Sequence, residues 1–158
     1  MHRVEIDQSG QISKLNTDTV FAFSNGISRV IVIPARVKRA VYQRLKERYR
    51  EVREPYLALF VAGVFLLIKD HLKEIEKMLI DEEFTGKEAQ IRGRLLNYIR
   101  AIEPRFTKDR IVFWRIGKKS RAHLKAWEVY RARTTKQGKA RPDKIITLTE
   151  LLSILGLR

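Results

Sequence analysis

The 158-residue chain contains no cysteine, only two tryptophans and only four prolines. The lack of cysteine excludes disulfide bonds, thiolate zinc sites and cysteine nucleophiles, and it fits a reducing compartment, so we expect a cytoplasmic protein. Acids are scarce beside bases: 18 Asp and Glu against 33 Lys and Arg give a net charge of +15. Such a one-sided excess is typical of proteins that bind a polyanion, above all nucleic acid. The alternative is a charged surface that serves solubility or thermostability.

Long hydrophobic runs are also missing. The longest, YLALFVAGVFLLI at residues 56–68, falls short of the roughly 20 residues that span a bilayer, so we expect no membrane association. It predicts a buried helix over residues 56–76; the alternative is that the first half of this segment is a strand.

The N-terminal MHRVEIDQSG lacks the apolar region of a signal peptide. The length predicts one domain over residues 1–158.

Three strands are predicted at the start of the chain. RVEID (residues 3–7) alternates polar and apolar side chains, TVFAFS (19–24) is β-branched and aromatic, and SRVIVI (28–33) is nearly all apolar, as in a strand covered on both faces. Asn25-Gly26 is a strong signal for a tight turn. The three strands therefore predict an antiparallel meander.

Helices and single strands alternate after Pro34. Besides the helix over 56–76, the pattern predicts helices over 35–52, 87–102 and 120–133, strands over 78–80 and 110–116, and a last short helix capped by Thr149. The order predicts an α/β fold with a mixed five-stranded sheet, in which three antiparallel strands are followed by alternating helices and strands, with helices on both faces. TTKQGKARP at residues 134–142 predicts a mobile basic loop.

Acids follow two of these strands. Asp7 ends the first strand and Asp81 ends the fourth. If the two strands are neighbours, the carboxylates come close, and a divalent cation such as Mg²⁺ or Mn²⁺ would remove their repulsion. His123, in the first turn of the helix after the fifth strand, would add a nitrogen ligand or transfer protons. Glu82 and Glu83 are either weaker additional ligands or solvated residues that favour the N-terminus of the next helix.

The segment 92–141 is dense in Lys and Arg, and its only acids are Glu103, Asp109 and Glu128. This imbalance predicts contacts with phosphate groups. The candidate nucleic-acid-binding residues are Lys118, Lys119, Arg121, Lys125, Arg131 and Arg133. We expect Trp114 and Trp127 to pack in the core rather than to stack on bases.

Three short stretches carry a resemblance to a known family. They are EIDQSG (5–10), LIDEEF (79–84) and GKKSRAHLKAWEVYRA (117–132). Together with the order of strands and helices, they resemble motifs of the ribonuclease H-like superfamily, most nearly those of its RuvC-type Holliday-junction resolvases. The resemblance implies a Mg²⁺- or Mn²⁺-dependent nuclease in which Asp7, Asp81 and His123 are catalytic residues and metal ligands.

The chain departs from that pattern at one position. Three residues after His123 the family has an acid, whereas this chain has Ala126. Either Glu82 or Glu83 substitutes for it, or the protein binds nucleic acid without cleaving it.

The sequence thus predicts a metal-dependent endonuclease that acts on DNA in preference to RNA, including branched or junction DNA. The alternatives are a non-catalytic nucleic-acid-binding module of the same fold and, more distantly, a basic RNA-associated or assembly protein. The resolvase analogy also implies a homodimer.

Overall fold

A computed structural model of the chain describes residues 1–51 and 53–157. These residues form an α/β fold with a six-stranded mixed sheet and five α-helices. The strands are β1 (His2–Ser9), β2 (Thr19–Asn25), β3 (Ile27–Ile33), β4 (Ile75–Asp81), β5 (Ile111–Trp114) and β6 (Lys144–Ile145), and the helices are α1 (Ala35–Arg48), α2 (Glu54–Ile68), α3 (Glu88–Arg100), α4 (Arg121–Thr135) and α5 (Leu148–Ile154).

The strands lie in the order β5-β4-β1-β2-β3-β6. Strand β2 pairs antiparallel with both β1 and β3, which confirms the predicted meander, and Asn25 and Gly26 make the β2–β3 turn with φ of 130° and 89°. Strand β4 runs parallel to β1, and β5 runs parallel to β4. The condition for bringing Asp7 and Asp81 together, that the first and fourth strands are neighbours, is therefore met.

The predicted count of five strands is wrong because β6 adds a sixth. This strand has two residues and pairs in parallel with Ile31 and Val32 of β3. Backbone bonds from Asp143 N to Val30 O (2.7 Å) and from Ile146 N to Val32 O (2.8 Å) extend the pairing. Two residues carry no periodicity of their own, so this strand depends on the open edge of β3.

Helices cover both faces of the sheet, as predicted. Alternate residues of β2 and β3 point to opposite sides. Phe21, Phe23, Ile31 and Ile33 join the large core with α1, α2 and α3, and a smaller cluster on the other face unites Val20, Ala22, Val30 and Val32 with Ala126 and Val129 of α4. Helix α4 therefore covers the middle of this face.

The apolar run becomes the central helix of the core. Residues Glu54–Ile68 are helical throughout, so the strand alternative for the first half of the run is wrong. Every residue from Leu57 to Ile68 is buried. A 3-10 segment, Lys69–Glu74, continues the helix to 21 residues, which by length and composition is enough to cross a membrane, contrary to the expectation from the run alone. However, 78% of the apolar window is buried inside the fold, as in the core helix of a globular domain.

Several element ends differ from the prediction by a few residues. Helix α1 ends at Arg48, and Val52, the last residue of the predicted helix, lies outside the described residues, as does Arg158. Ser120 caps α4 as predicted, with its side chain accepting from Ala122 N, but α4 continues to Thr135, into the predicted loop. The cap of α5 is Thr147, in a capping box with Glu150, rather than Thr149. The mobility of the 134–142 loop stays a prediction.

Candidate metal centre

Two parallel strands end side by side and bring their acids together. The register pairs Ile6 of β1 with Ile80 of β4, so Asp7 and Asp81 follow at the same level of the sheet. Glu83 lies two residues beyond the end of β4. One carboxylate oxygen from each of Asp7, Asp81 and Glu83 lies within 4.8 Å of the other two. Asp7 of β1 thus forms one cluster with two acids at the end of β4, which lie far from it in the sequence.

Hydrogen bonds hold two of these carboxylates in place. Asp7 is 5% exposed. Its Oδ1 accepts from the backbone N–H of Gln8 at 2.8 Å, and its Oδ2 lies 2.7 Å from Nδ1 of His123 on α4. Asp81 Oδ1 accepts from the backbone N–H of Ile116, in the segment between β5 and α4, at 2.8 Å. Both carboxylates are therefore oriented before any ligand binds.

The cluster concentrates negative charge where water is partly excluded. Burial raises the pKa of Asp7, and the charge of Asp81 adds to the shift, against the hydrogen bonds from His123 and Gln8. Burial, followed by a hydrogen bond and repulsion from Asp81, raises the pKa of Glu83 to about 7. A divalent cation favours the charged form of all three groups, so the electrostatics fit such an ion.

Gln8 supplies an independent sign that the cluster accommodates a ligand. This residue is only 8% exposed. Its side chain hydrogen-bonds Glu83 and lowers the pKa of that carboxyl. Its Oε1 atom is buried without a hydrogen-bond partner among the described residues. Buried polar atoms normally have a partner, and an amide oxygen is a suitable ligand for Mg²⁺ or its bound water.

The structure treats the sequence candidates differently. Asp7, Asp81 and Glu83 converge, whereas Glu82 is exposed and lies outside the group of converging ligand atoms found among residues 1–51 and 53–157. His123 also lies outside that group, although its Nδ1 contacts Asp7. The structure thus makes His123 a positioning partner of Asp7 rather than a member of the carboxylate group.

The basic candidates differ in exposure and in the contacts that they make. Lys119 and Arg121 line a depression with Glu5, Ser24 and Asn25; Glu5 precedes Asp7 by two residues on β1. Lys118 and Arg131 are exposed and Lys125 is half-buried. Arg133 instead donates its Nε to Asp18 Oδ2 at 2.7 Å, which ties α4 to the β1–β2 connection. Its side chain is thus engaged within the fold.

The expectation for the tryptophans is wrong. Trp114 is 63% exposed and Trp127 is 46% exposed. Trp114 is the last residue of β5, an edge strand, and Trp127 lies off the stripe that α4 buries through Ala122, Ala126 and Val129. The spacing of these small residues was the signal that places Trp127 outside the core.

The chain matches no family model, no curated protein and no solved structure with which it was compared. No residue role is therefore carried over from a relative. The function has to be argued from the side chains that the fold brings together.

Proposed function

We propose that the protein is a metal-dependent endonuclease of ribonuclease H-like fold that cleaves phosphodiester bonds in DNA. One observation carries the proposal: Asp7 converges with Asp81 and Glu83, which lie far from it in the sequence, in a protein of net charge +15. The adjacency of β1 and β4 supports the resemblance to the resolvases, since their motif acids lie on those strands. Glu83 would take the place of the acid that is missing at Ala126.

The roles follow from the contacts. Asp7, Asp81 and Glu83 would hold one or two Mg²⁺ or Mn²⁺ ions, which activate water and stabilise the leaving oxygen in this class of reaction. His123 fixes the orientation of the Asp7 carboxylate through Nδ1. Lys118 and Lys119 lie just before α4, and Arg121 is its first residue, two positions before His123. All three are exposed, so they are available to phosphate groups of the bound strand.

The direct test is cleavage of labelled duplex, branched DNA and RNA–DNA hybrid in Mg²⁺ or Mn²⁺. We expect Asp7→Asn and Asp81→Asn each to lower the rate by about 100-fold or more, since each removes a charged ligand. EDTA should have the same effect on the wild type. DNA affinity, measured in EDTA, should stay within about twofold, because the basic surface is untouched.

The matched pair Glu83→Gln and Glu82→Gln distinguishes the loss of a carboxylate in the cluster from the loss of any negative charge in the same loop. Both residues are in the same loop, but only Glu83 joins the cluster. We expect Glu83→Gln to lose activity and Glu82→Gln to keep it. Wild-type rates in Asp7→Asn and Asp81→Asn, or equal losses in the two Glu variants, would contradict the proposed site.

A second candidate function is binding without cleavage. It is favoured by Ala126, which is fully buried against the sheet and offers no ligand where the resolvase pattern has an acid. This candidate predicts DNA binding that falls steeply with salt and no cleavage in either metal. Absence of DNA binding at modest salt would exclude both functions.

A further inference from the structure

Both tryptophans are exposed: Trp114 pairs in register with Asp81, and Trp127 lies one turn of α4 after His123, which contacts Asp7. Tryptophan is enriched where proteins bind partners, because its large flat ring supplies contact area and a stacking surface. We infer that the site takes a strand with unpaired bases, which stack on Trp114 and Trp127. The inference rests on the proposed function, because it names the kind of substrate that the nuclease site accepts.

Trp114 borders the cluster on the side of the sheet edge. The β4–β5 register pairs it with Asp81, and paired residues of adjacent parallel strands point to the same face. Phe113 points to the opposite face, where the guanidinium of Arg92 on α3 lies 5.4 Å from its ring. Trp114 therefore shares a face with Asp81, and its ring is open to solvent.

Trp127 borders the cluster on the side of α4. His123, Trp127 and Tyr130 lie four and three residues apart, which places them along one stripe of the helix. His123 contacts Asp7, and the Tyr130 ring packs at Gly10, where an added Cβ would lie 2.5 Å from its Cε1 atom. The stripe thus follows the end of β1, with Trp127 between these two contacts.

The Trp127 ring is held before any ligand arrives. It stacks on Tyr130 with ring centroids 6.2 Å apart and an interplanar angle of 26°. Tyr130 is in turn fixed against Gly10. A ring that is supported on one side and half exposed loses little conformational freedom when a base stacks on it.

The positive charges beside the two tryptophans indicate which kind of molecule binds there. Exposed Arg115 follows Trp114 directly, and exposed Arg131 lies one turn after Trp127; neither makes an ion pair with a described residue. An apolar protein partner would leave these cations uncompensated, whereas nucleic acid supplies phosphate for them and flat bases for the rings. Base faces inside a duplex are covered by their neighbours, so the stacked bases have to be unpaired.

The two tryptophans are the only ones in the chain, so their intrinsic fluorescence reports stacking directly. The probes are a 12-nucleotide oligothymidine and a blunt 12-base-pair duplex, both labelled and kept in EDTA to prevent cleavage. Anisotropy of the label measures binding, and tryptophan emission measures stacking. Trp114→Phe and Trp127→Phe leave a single reporter each. We expect the single strand to quench both reporters and the duplex to quench neither.

Affinity provides the second readout. Base–aromatic stacking is strong enough that Trp114→Ala and Trp127→Ala should each weaken single-strand binding by about tenfold or more. Duplex affinity should change by less than about twofold. Ile102→Ala is the matched control, since Ile102 is an apolar side chain that is 49% exposed just after α3, on neither β5 nor α4, and it should leave both affinities unchanged.

The outcomes also separate this inference from the nuclease assignment. Single-strand binding without quenching, or equal losses for strand and duplex, would overturn the inference. Cleavage in Mn²⁺ that is unaffected in both Trp→Ala variants would overturn it while the nuclease stands. Quenching and Trp-dependent binding with no cleavage in any metal would support it while the nuclease assignment fails. Failure to bind either DNA would overturn it and would leave the aromatic surface to a protein partner.

Discussion

At the scale of single residues, Lys38 shows how the fold makes an environment that its sequence position does not reveal. Its side chain has no exposed surface, although it lies in a helix rich in exposed Arg and Lys. Its Nζ donates to Lys14 O at 2.6 Å and to Thr19 Oγ1 at 2.8 Å. The ammonium group therefore binds the β1–β2 connection, which follows Asp7 along the chain, to α1.

Burial lowers the pKa of Lys38 to about 8, against the charge of Asp18. Between about pH 8 and 10.5 the unfolded chain then binds more protons than the folded one at this residue, so Lys38 makes stability rise with pH in that window. Lys38→Met should abolish this contribution.

Urea unfolding of the wild type, Lys38→Met and Lys73→Met from pH 7 to 10.5 tests this prediction. Lys73 is an exposed lysine in the 3-10 segment and serves as the control. A wild-type stability curve parallel to that of Lys38→Met across the alkaline range would contradict it.

At the scale of elements, a glycine lets the central helix approach the sheet. A Cβ at Gly63 of α2 would overlap the ring of Phe21 of β2, with Cζ at 2.8 Å. Phe21 is fully buried and packs edge-on against Phe60 of α2, with ring centroids 5.7 Å apart. The ring has no free space into which to move, so the spacing between α2 and β2 depends on the missing side chain.

Gly63→Ala and Gly93→Ala form a matched pair in two helices. We expect Gly63→Ala to destabilise the protein by about 1–3 kcal/mol, since overpacking outweighs the gain in helix propensity. Gly93 is exposed in the middle of α3 and an added Cβ would meet nothing within 4 Å. Gly93→Ala should therefore stabilise by about 0.5–1 kcal/mol. Chemical denaturation measures both, and shifts of the same sign would contradict the account.

At the scale of the whole molecule, the acid cluster exists only in the folded chain. Its members come from β1, β4 and the loop that follows, and the sheet register holds them within reach of one ion. An ion that binds the folded form alone stabilises it by mass action, by about 2.7 kcal/mol at a concentration of about 100 times Kd. For a domain of this size that corresponds to about 5–10 °C in Tm.

The effect of Mn²⁺ should depend on pH in a direction set by Glu83. Its pKa is raised to about 7 in the fold. The folded chain therefore binds more protons than the unfolded one between about pH 4.5 and 7, and this group makes stability fall as pH rises through that window. Mn²⁺ competes with the proton, so we expect a larger increase in Tm at pH 8 than at pH 5.5.

Thermal unfolding with and without Mn²⁺ at the two pH values tests this linkage. Glu83→Gln should show a smaller metal effect with little pH dependence, whereas Glu82→Gln should behave like the wild type. A metal-induced change in Tm that is equal at both pH values, or equal in the two variants, would contradict the participation of Glu83.

Local patterns were sufficient for much of the fold and for part of the candidate site. Alternation in residues 3–7, the Asn25-Gly26 turn and the Ser120 cap predicted elements that the structure confirms. These features act between residues near in sequence, so they are readable there. Asp7 and Asp81 were predicted to approach because both end strands, and the parallel pairing of β1 with β4 confirms that they do.

Other features depend on atoms far away in the chain. Strand β6 exists because β3 offers an open edge, and Glu83 joins the cluster because the loop after β4 turns toward Asp7 and Asp81. The environment of Lys38 and the exposure of the two tryptophans likewise follow from which surfaces the helices cover. The sequence by itself determined the local elements and the two strand-end acids, because hydrogen bonding and hydrophobic periodicity are local. Only the tertiary structure decided the third carboxylate and the open aromatic surface, because burial and charge–charge distance are set by packing between remote segments.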